Sequence, residues 1–186
     1  MITTLSIKIT DFFYVRNLIR NKEHKDIYSY GFALMISTLI SFELTMIVSM
    51  MFHDILNGVL YFLLFAALRS YTGGYHCITY FKCNMVYLLN FLVYQWLYLL
   101  ELYQTLFICS LLGMVYIWIV APIDHENKRL NSDEKKYFGK KLRHILILLM
   151  IIEYFMIVLL LQDVLFTMNY VITMCALLAW LGKRRN

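Results

Sequence analysis

Apolar residues run in six long blocks along this chain, at Tyr30–Phe52, Ile55–Leu68, Met85–Leu100, Thr105–Ala121, Ile145–Leu161 and Val164–Leu181, with charged and polar residues gathered between them. Blocks of this length are too uniform for half-buried strands and too long for ordinary core helices, so the pattern predicts helices surrounded by hydrocarbon. The expected fold is all-α: a polytopic membrane protein of six transmembrane helices in three close hairpins. The Ile55–Leu68 block is the shortest. At 1.5 Å rise per residue it covers about 21 Å, against a hydrocarbon core of roughly 30 Å. It must thin the bilayer, extend into its flanks or stop short.

Before the first block, Leu5, Ile9, Phe12, Phe13 and Ile19 fall at near-helical spacing, with Lys8, Asp11, Arg20 and Asn21 between them. This predicts an N-terminal amphipathic helix that lies either on the inner leaflet or against the protein's own cytoplasmic loops. Composition agrees with a lipid solvent, since 61% of the 186 residues are hydrophobic and 16% charged, where soluble domains hold about 25% charged residues. The first apolar block starts too late, and lacks the small-residue site, for a removable secretory signal, so the chain is expected to be mature protein throughout.

The distribution of basic residues changes the picture from spans to orientation, because cytoplasmic loops carry the excess of Lys and Arg. All seventeen fall in four places. Lys8, Arg16, Arg20, Lys22 and Lys25 precede the first span, and Arg69 and Lys82 lie between the second and third. Lys128, Arg129, Lys135, Lys136, Lys140, Lys141 and Arg143 lie between the fourth and fifth, and Lys183, Arg184 and Arg185 end the chain. The connections His53–Asp54, Glu101–Gln104 and Gln162–Asp163 hold none. Six spans with both termini cytoplasmic satisfy the charge rule, and five or seven would break it. The expected organisation is one membrane-embedded domain, 1–186, with an amphipathic segment at 1–27, a cytoplasmic loop at 69–84 and a basic cytoplasmic loop at 122–144. The net charge of +5 is explained by anchoring at the inner leaflet, without nucleic acid as a partner.

Cys77, Cys83, Cys109 and Cys175 are too few and too scattered for a disulfide framework, and Cys109 and Cys175 sit inside apolar blocks as packing residues. Cys77 and Cys83 do not: they belong to the least lipid-like part of the central region, Arg69 to Cys83. There an imidazole, a guanidinium and thiols lie within fifteen residues, and a cationic neighbour is what converts a thiol into the reactive thiolate. His76 and Cys83 are seven residues apart, about 10 Å along a straight helix, so contact needs a bend. Either Gly73 and Gly74 supply it, or Cys83 opens the third span with His76 folded back over it. The glycines could also bring backbone N–H groups close to a reacting carbonyl. A flexible turn is the simpler reading. A zinc site at His76, Cys77 and Cys83 has the right ligand types but lacks a second ligand pair, and neither metal nor cofactor is expected.

Arg69, Gly74, His76 and Cys83, in the spacing R-x(4)-G-x-H-x(6)-C between two apolar spans, resemble the signature of the accessory gene regulator protein B (AgrB) family of six-span membrane endopeptidases. Chain length, the basic N-terminal segment, and Ala121-Pro122 closing the fourth span ahead of Lys-rich residues are also similar to that family. The resemblance implies Cys83 as nucleophile, His76 as general base, and Arg69 and Gly74 as residues that shape the site, while the glycine pair itself adds Gly73 beside Gly74 as an oxyanion or substrate-positioning residue. Cys77 is outside the family pattern, and a chain neighbour of His76 is poorly placed to engage the adjacent imidazole. The resemblance further implies a quorum-sensing pro-peptide with an amphipathic leader and an acidic tail as substrate, a thiolactone or lactone product, and a homodimer in the bacterial cell membrane with its active site at the cytoplasmic face. A possible third member of the site is Asp124, Asn127 or Glu43. Glu43 and Glu153 lie inside apolar spans, where a carboxylate is costly and calls for either structural pairing or function. Two other classes of function remain open from sequence, a small peptide exporter or channel and a structural subunit of a membrane complex.

Overall fold

The computed structural model describes residues 2–19, 21, 24–75, 77–123 and 130–185. Among them the chain forms seven helices, α1 (Ile2–Val15), α2 (Lys25–Met51), α3 (Ile55–Thr72), α4 (Tyr80–Leu99), α5 (Tyr103–Val120), α6 (Ser132–Val158) and α7 (Gln162–Arg185). A helix occupies every apolar block. Four of them, α2, α3, α5 and α7, are long and apolar enough to cross a membrane. α4 and α6 have the length, 20 and 27 residues, but α4 interrupts its apolar surface with Lys82, Asn84, Asn90 and Gln95, and the first half of α6 is charged.

The boundaries correct the sequence reading in two places. Arg69–Thr72 continue α3, giving it 18 residues and about 27 Å, so the short block gains length from its polar flank. The basic stretch expected as a loop is helical from Ser132 onward. Asn131 accepts from the backbone N–H groups of Asp133 and Glu134, and the Glu134 carboxylate accepts from the Asn131 N–H, a reciprocal capping box that starts α6 there.

At each of the three connections that carry no basic residue, one residue takes a left-handed conformation: His53 (φ 55°), Glu101 (φ 52°) and Leu160 (φ 57°). Two of these are Schellman ends. Asp54 donates to the Ser49 carbonyl and His53 to Met50, and Leu161 donates to Met156 and Leu160 to Ile157. The last helical carbonyls are thereby satisfied within a few residues, which makes close hairpins possible.

Burial is inverted relative to a soluble protein. Ser37, Ser41, Thr45, Ser49, Asn84, Asn90, Gln95, Ser110, Thr167 and Asn169 are buried, while Leu56, Trp96, Leu112 and Ile119 point outward, each more than two-thirds exposed. Hydrocarbon provides no hydrogen bonds, so polar side chains face one another across helices. Ser37 and Ser41 on α2 donate to Asn84 Oδ1 on α4 at 2.7 and 3.3 Å, Ser110 on α5 donates to Asn169 on α7 at 2.7 Å, and Tyr170 on α7 donates to Asn90 on α4. Small residues let backbones close in: a Cβ on Gly113 of α5 would lie 3.1 Å from that of Ala176 on α7. Around Tyr61 gather the rings of Tyr87, Phe91, Tyr94 and Tyr170, at 4.8 to 6.1 Å.

α1 packs on α2, through the stacked Phe13 and Phe32 rings (5.5 Å) and an ion pair between Lys25 and Asp11 (2.5 Å). Its inward face carries the buried Ser6 and Thr10, while Leu5, Phe12 and Val15 are exposed. α1 therefore rests on a membrane helix with an apolar surface left outward.

Candidate functional site

The chemistry-bearing segment runs from the last turn of α3 to the first turn of α4, and among its described residues only 73–75 and 77–79 are irregular. α3 ends because Gly73 turns to φ 65° and Gly74 follows at φ 109°, conformations that exclude most side chains. Close approach excludes them too. A Cβ on Gly73 would stand 2.2 Å from the Ile123 carbonyl oxygen, and one on Gly74 would stand 2.7 Å from both Arg69 Nη1 and the Leu178 carbonyl oxygen. Gly73 forms an isolated parallel bridge with Ile123, whose N–H donates to the Thr72 carbonyl at 3.0 Å. The Gly73 N–H donates back to the Arg69 carbonyl at 3.2 Å. That donor closes the last turn of α3.

Arg69 holds the loop from beneath. Its Nη2 donates to the Tyr75 carbonyl, and Nη1 is buried with no hydrogen-bond partner among the described residues. From the other side, the Tyr75 N–H donates to the Leu178 carbonyl of α7 at 2.9 Å. The backbone on either side of Gly74 is thus tied to α3, α7 and the segment after α5. His76 follows directly, and it lies outside the described residues, as do Asp124 and Asn127.

Cys83 sits in the first turn of α4. Thr79 caps this helix by accepting from the Lys82 N–H at 3.3 Å, and the Cys83 N–H donates to the Thr79 carbonyl at 3.0 Å. The positive end of the helix dipole favours a thiolate there. Cys83 precedes the apolar run that begins at Met85. Burial pushes its thiol above the ordinary value and proximity to Cys77 adds to this, whereas a hydrogen bond from the Cys77 N–H and the charge of Arg69 draw it down. Cys77 thus meets Cys83 through its main chain.

Cys83, Cys77 and Arg69 line one cavity of about 520 Å³ between α2, α3 and α4. Its surface is mostly apolar and aromatic, with Leu34, Phe62, Phe65, Tyr87 and Phe138, and it is interrupted by polar side chains that include Ser37, Ser41, Arg69, Asn84 and Asn90. That is the composition of a site for a mainly apolar ligand with a few fixed polar contacts. Gly73 and Tyr75 also line it. Glu43 does not come to this site: it is exposed on α2, away from the cavity lining. Glu153 is buried in α6, and its Oε1 has no hydrogen-bond partner among the described residues. No group of three or more His, Cys, Asp and Glu able to hold a metal occurs among the described residues. Sequence reasoning missed Leu178, Gly182 and Ile123, which seat the loop through backbone atoms. Gly182 ahead of Lys183, Arg184 and Arg185 carries the composition of a helix end, and that hid its contact with the loop.

Comparison with known proteins covers this whole arrangement. The profile of the Accessory gene regulator B family matches residues 6–182. Two AgrB-like proteins of Clostridium perfringens, from strain SM101 / Type A and strain 13 / Type A, are each 25% identical over 130 residues, 65% of this chain and 61% of theirs. The chain thus aligns with about three-fifths of the length of these curated relatives. No solved structure matches. With the family profile spanning nearly all of the helical bundle and the Arg69–Cys83 segment at its centre, the chain belongs to the accessory gene regulator B family.

Proposed function

We propose that the chain is a membrane cysteine endopeptidase that removes the C-terminal tail of a small quorum-sensing pro-peptide and promotes its cyclisation. The observation that carries this reading is a half-buried cysteine at a helix N-terminus, facing an apolar cavity beside Arg69, in a chain matched by the family over residues 6–182. In this scheme His76 takes the Cys83 proton, and the thiolate attacks the carbonyl carbon at the junction before the tail. The C–N bond breaks, the tail leaves with the proton returned by His76, and the peptide is held as a thioester on Cys83. The peptide's own Cys or Ser, giving its proton to His76, then attacks that carbonyl, the C–S bond to Cys83 breaks, and a thiolactone or lactone leaves as His76 returns the proton to the Cys83 thiolate. Thioester exchange is nearly energy-neutral, so the ring survives only where water is kept from the thioester, a condition favoured by the aromatic walls of the cavity.

The proposed topology has six spans and cytoplasmic termini, with the site at the cytoplasmic face. It is supported by the confinement of every Lys and Arg to the first 25 residues, the facing ends of α3 and α4, residues 128–143 and the last turn of α7. The proposed partners are the bilayer, an acidic-tailed pro-peptide attracted by that basic face, and a second copy of the chain.

The test is Cys83→Ala in cells that also express a short pro-peptide with an amphipathic leader, a central Cys or Ser and an acidic tail that the wild-type chain processes. Tail removal and the covalent peptide adduct should both disappear. Continued cleavage in Cys83→Ala would refute the peptidase reading.

A further inference from the structure

α7 does more than fill the centre of the bundle. Gly182, in its last turn, is buried, and a Cβ built on it would stand 2.5 Å from the carbonyl carbon and Cα of Gly74 and from the Tyr75 nitrogen. Real Cβ atoms essentially never come so near to backbone, and backbone cannot yield as a flexible side chain does. One turn earlier, the Leu178 carbonyl accepts from the Tyr75 N–H at 2.9 Å, and a Cβ on Gly74 would be 3.0 Å from the Cα of Ala179. Two glycines distant in sequence thus face each other across a contact of main chain on main chain. On the far side of the same peptide units, Arg69 donates to the Tyr75 carbonyl.

From this juxtaposition we infer that the last turn of α7 is the seat of the catalytic loop, and that Gly182 is a positioning residue whose missing side chain lets Gly74 and Tyr75 settle where Cys77 and Cys83 can meet. The inference rests on the peptidase reading for the word catalytic. The seat itself is a property of the fold. A side chain at 182 lifts the loop from α7, which breaks the Tyr75–Leu178 hydrogen bond. It also carries the Cys77 N–H and the Arg69 fork away from the Cys83 sulfur. Burial and the nearby Cys77 raise the Cys83 thiol while the Cys77 N–H and Arg69 lower it, so displacing the loop disturbs this balance on both sides.

The experiment uses the full-length chain in detergent or bilayer and iodoacetamide as probe, with alkylation of Cys83 followed across pH by peptide mapping. Gly182→Ala should move the midpoint of the Cys83 profile away from its wild-type position by roughly half a unit or more. Gly31→Ala, at a position with nothing within 4 Å of the added carbon, should leave it unmoved. A folded Gly182→Ala protein with the wild-type profile overturns the inference. If Gly182→Ala does not fold, amide exchange in the wild-type chain decides instead. Slow exchange at Tyr75 supports the seat, and exchange at the rate of an unstructured peptide overturns it. Neither readout involves peptide cleavage, so failure of the peptidase reading, seen as cleavage by Cys83→Ala, is distinguishable from failure of the seat.

Discussion

Cys83 is the residue on which the proposed chemistry turns, and its surroundings pull in opposite directions. Burial raises the thiol while the Cys77 N–H and Arg69 lower it, and the net direction is upward. A raised thiol pKa means that the thiolate is scarce below it and accumulates as pH climbs through it. Alkylation of Cys83 in the resting chain should therefore keep rising beyond about pH 8.5, where an ordinary cysteine is already half ionised; a profile that levels off at or below neutrality would contradict this balance. Cys77 favours the Cys83 thiolate through its backbone N–H, which alanine retains, while its thiol only adds to the upward pull. Cys77→Ala should leave peptide processing within a few-fold of wild type, in contrast to the loss expected for Cys83→Ala, as read by accumulation of tail-free peptide. Gly73 has no such latitude. Its φ of 65° and the 2.2 Å approach to the Ile123 oxygen mean that Gly73→Ala must strain or displace the loop. The expected cost is on the order of 1–3 kcal/mol, visible as a lower unfolding temperature together with lost processing.

At the scale of the element, helix ends decide where the site lies. Thr79 fixes the start of α4 and hence the turn that bears Cys83, while Gly73 stops α3 four residues after Arg69. The capping box at Asn131 starts α6 inside a strongly basic stretch. Asn131→Ala removes the acceptor for two backbone donors, and we expect a loss of about 1 kcal/mol, measurable as reduced thermal stability in detergent with little effect on cleavage. Across α2 and α4, Asn84 accepts from both Ser37 and Ser41. Asn84→Leu leaves two buried hydroxyls without that acceptor, at a cost of roughly 1 kcal/mol for an interhelical hydrogen bond in a membrane. Because Asn84 also lines the cavity, the variant should lose processing further than its stability falls, which parallel unfolding and cleavage assays would reveal.

For the whole molecule, the arrangement of charge predicts orientation as well as solubility. Cysteines introduced singly at the Glu101 and Gln162 connections of an otherwise cysteine-free chain should react with an impermeant maleimide in intact cells, and one at Lys136 should react only after lysis; the reverse pattern would refute the proposed orientation, and a mixed pattern the six spans. The sequence by itself determined the helices, because block length and the separation of apolar from charged residues are local properties that a lipid solvent reads directly. It also marked Arg69, Gly74 and Cys83 as a group, since they are near neighbours in the chain. It misjudged the ends of α3 and α6, where polar residues continue a helix once caps and packing satisfy its terminal groups. Only the tertiary structure decided that Glu43 faces away from the cavity, that the Gly73 N–H closes the last turn of α3, and that α7 supports the loop. The contact between Gly74 and Gly182 joins backbones more than a hundred residues apart, and a glycine announces the absence of a side chain without saying what occupies the space.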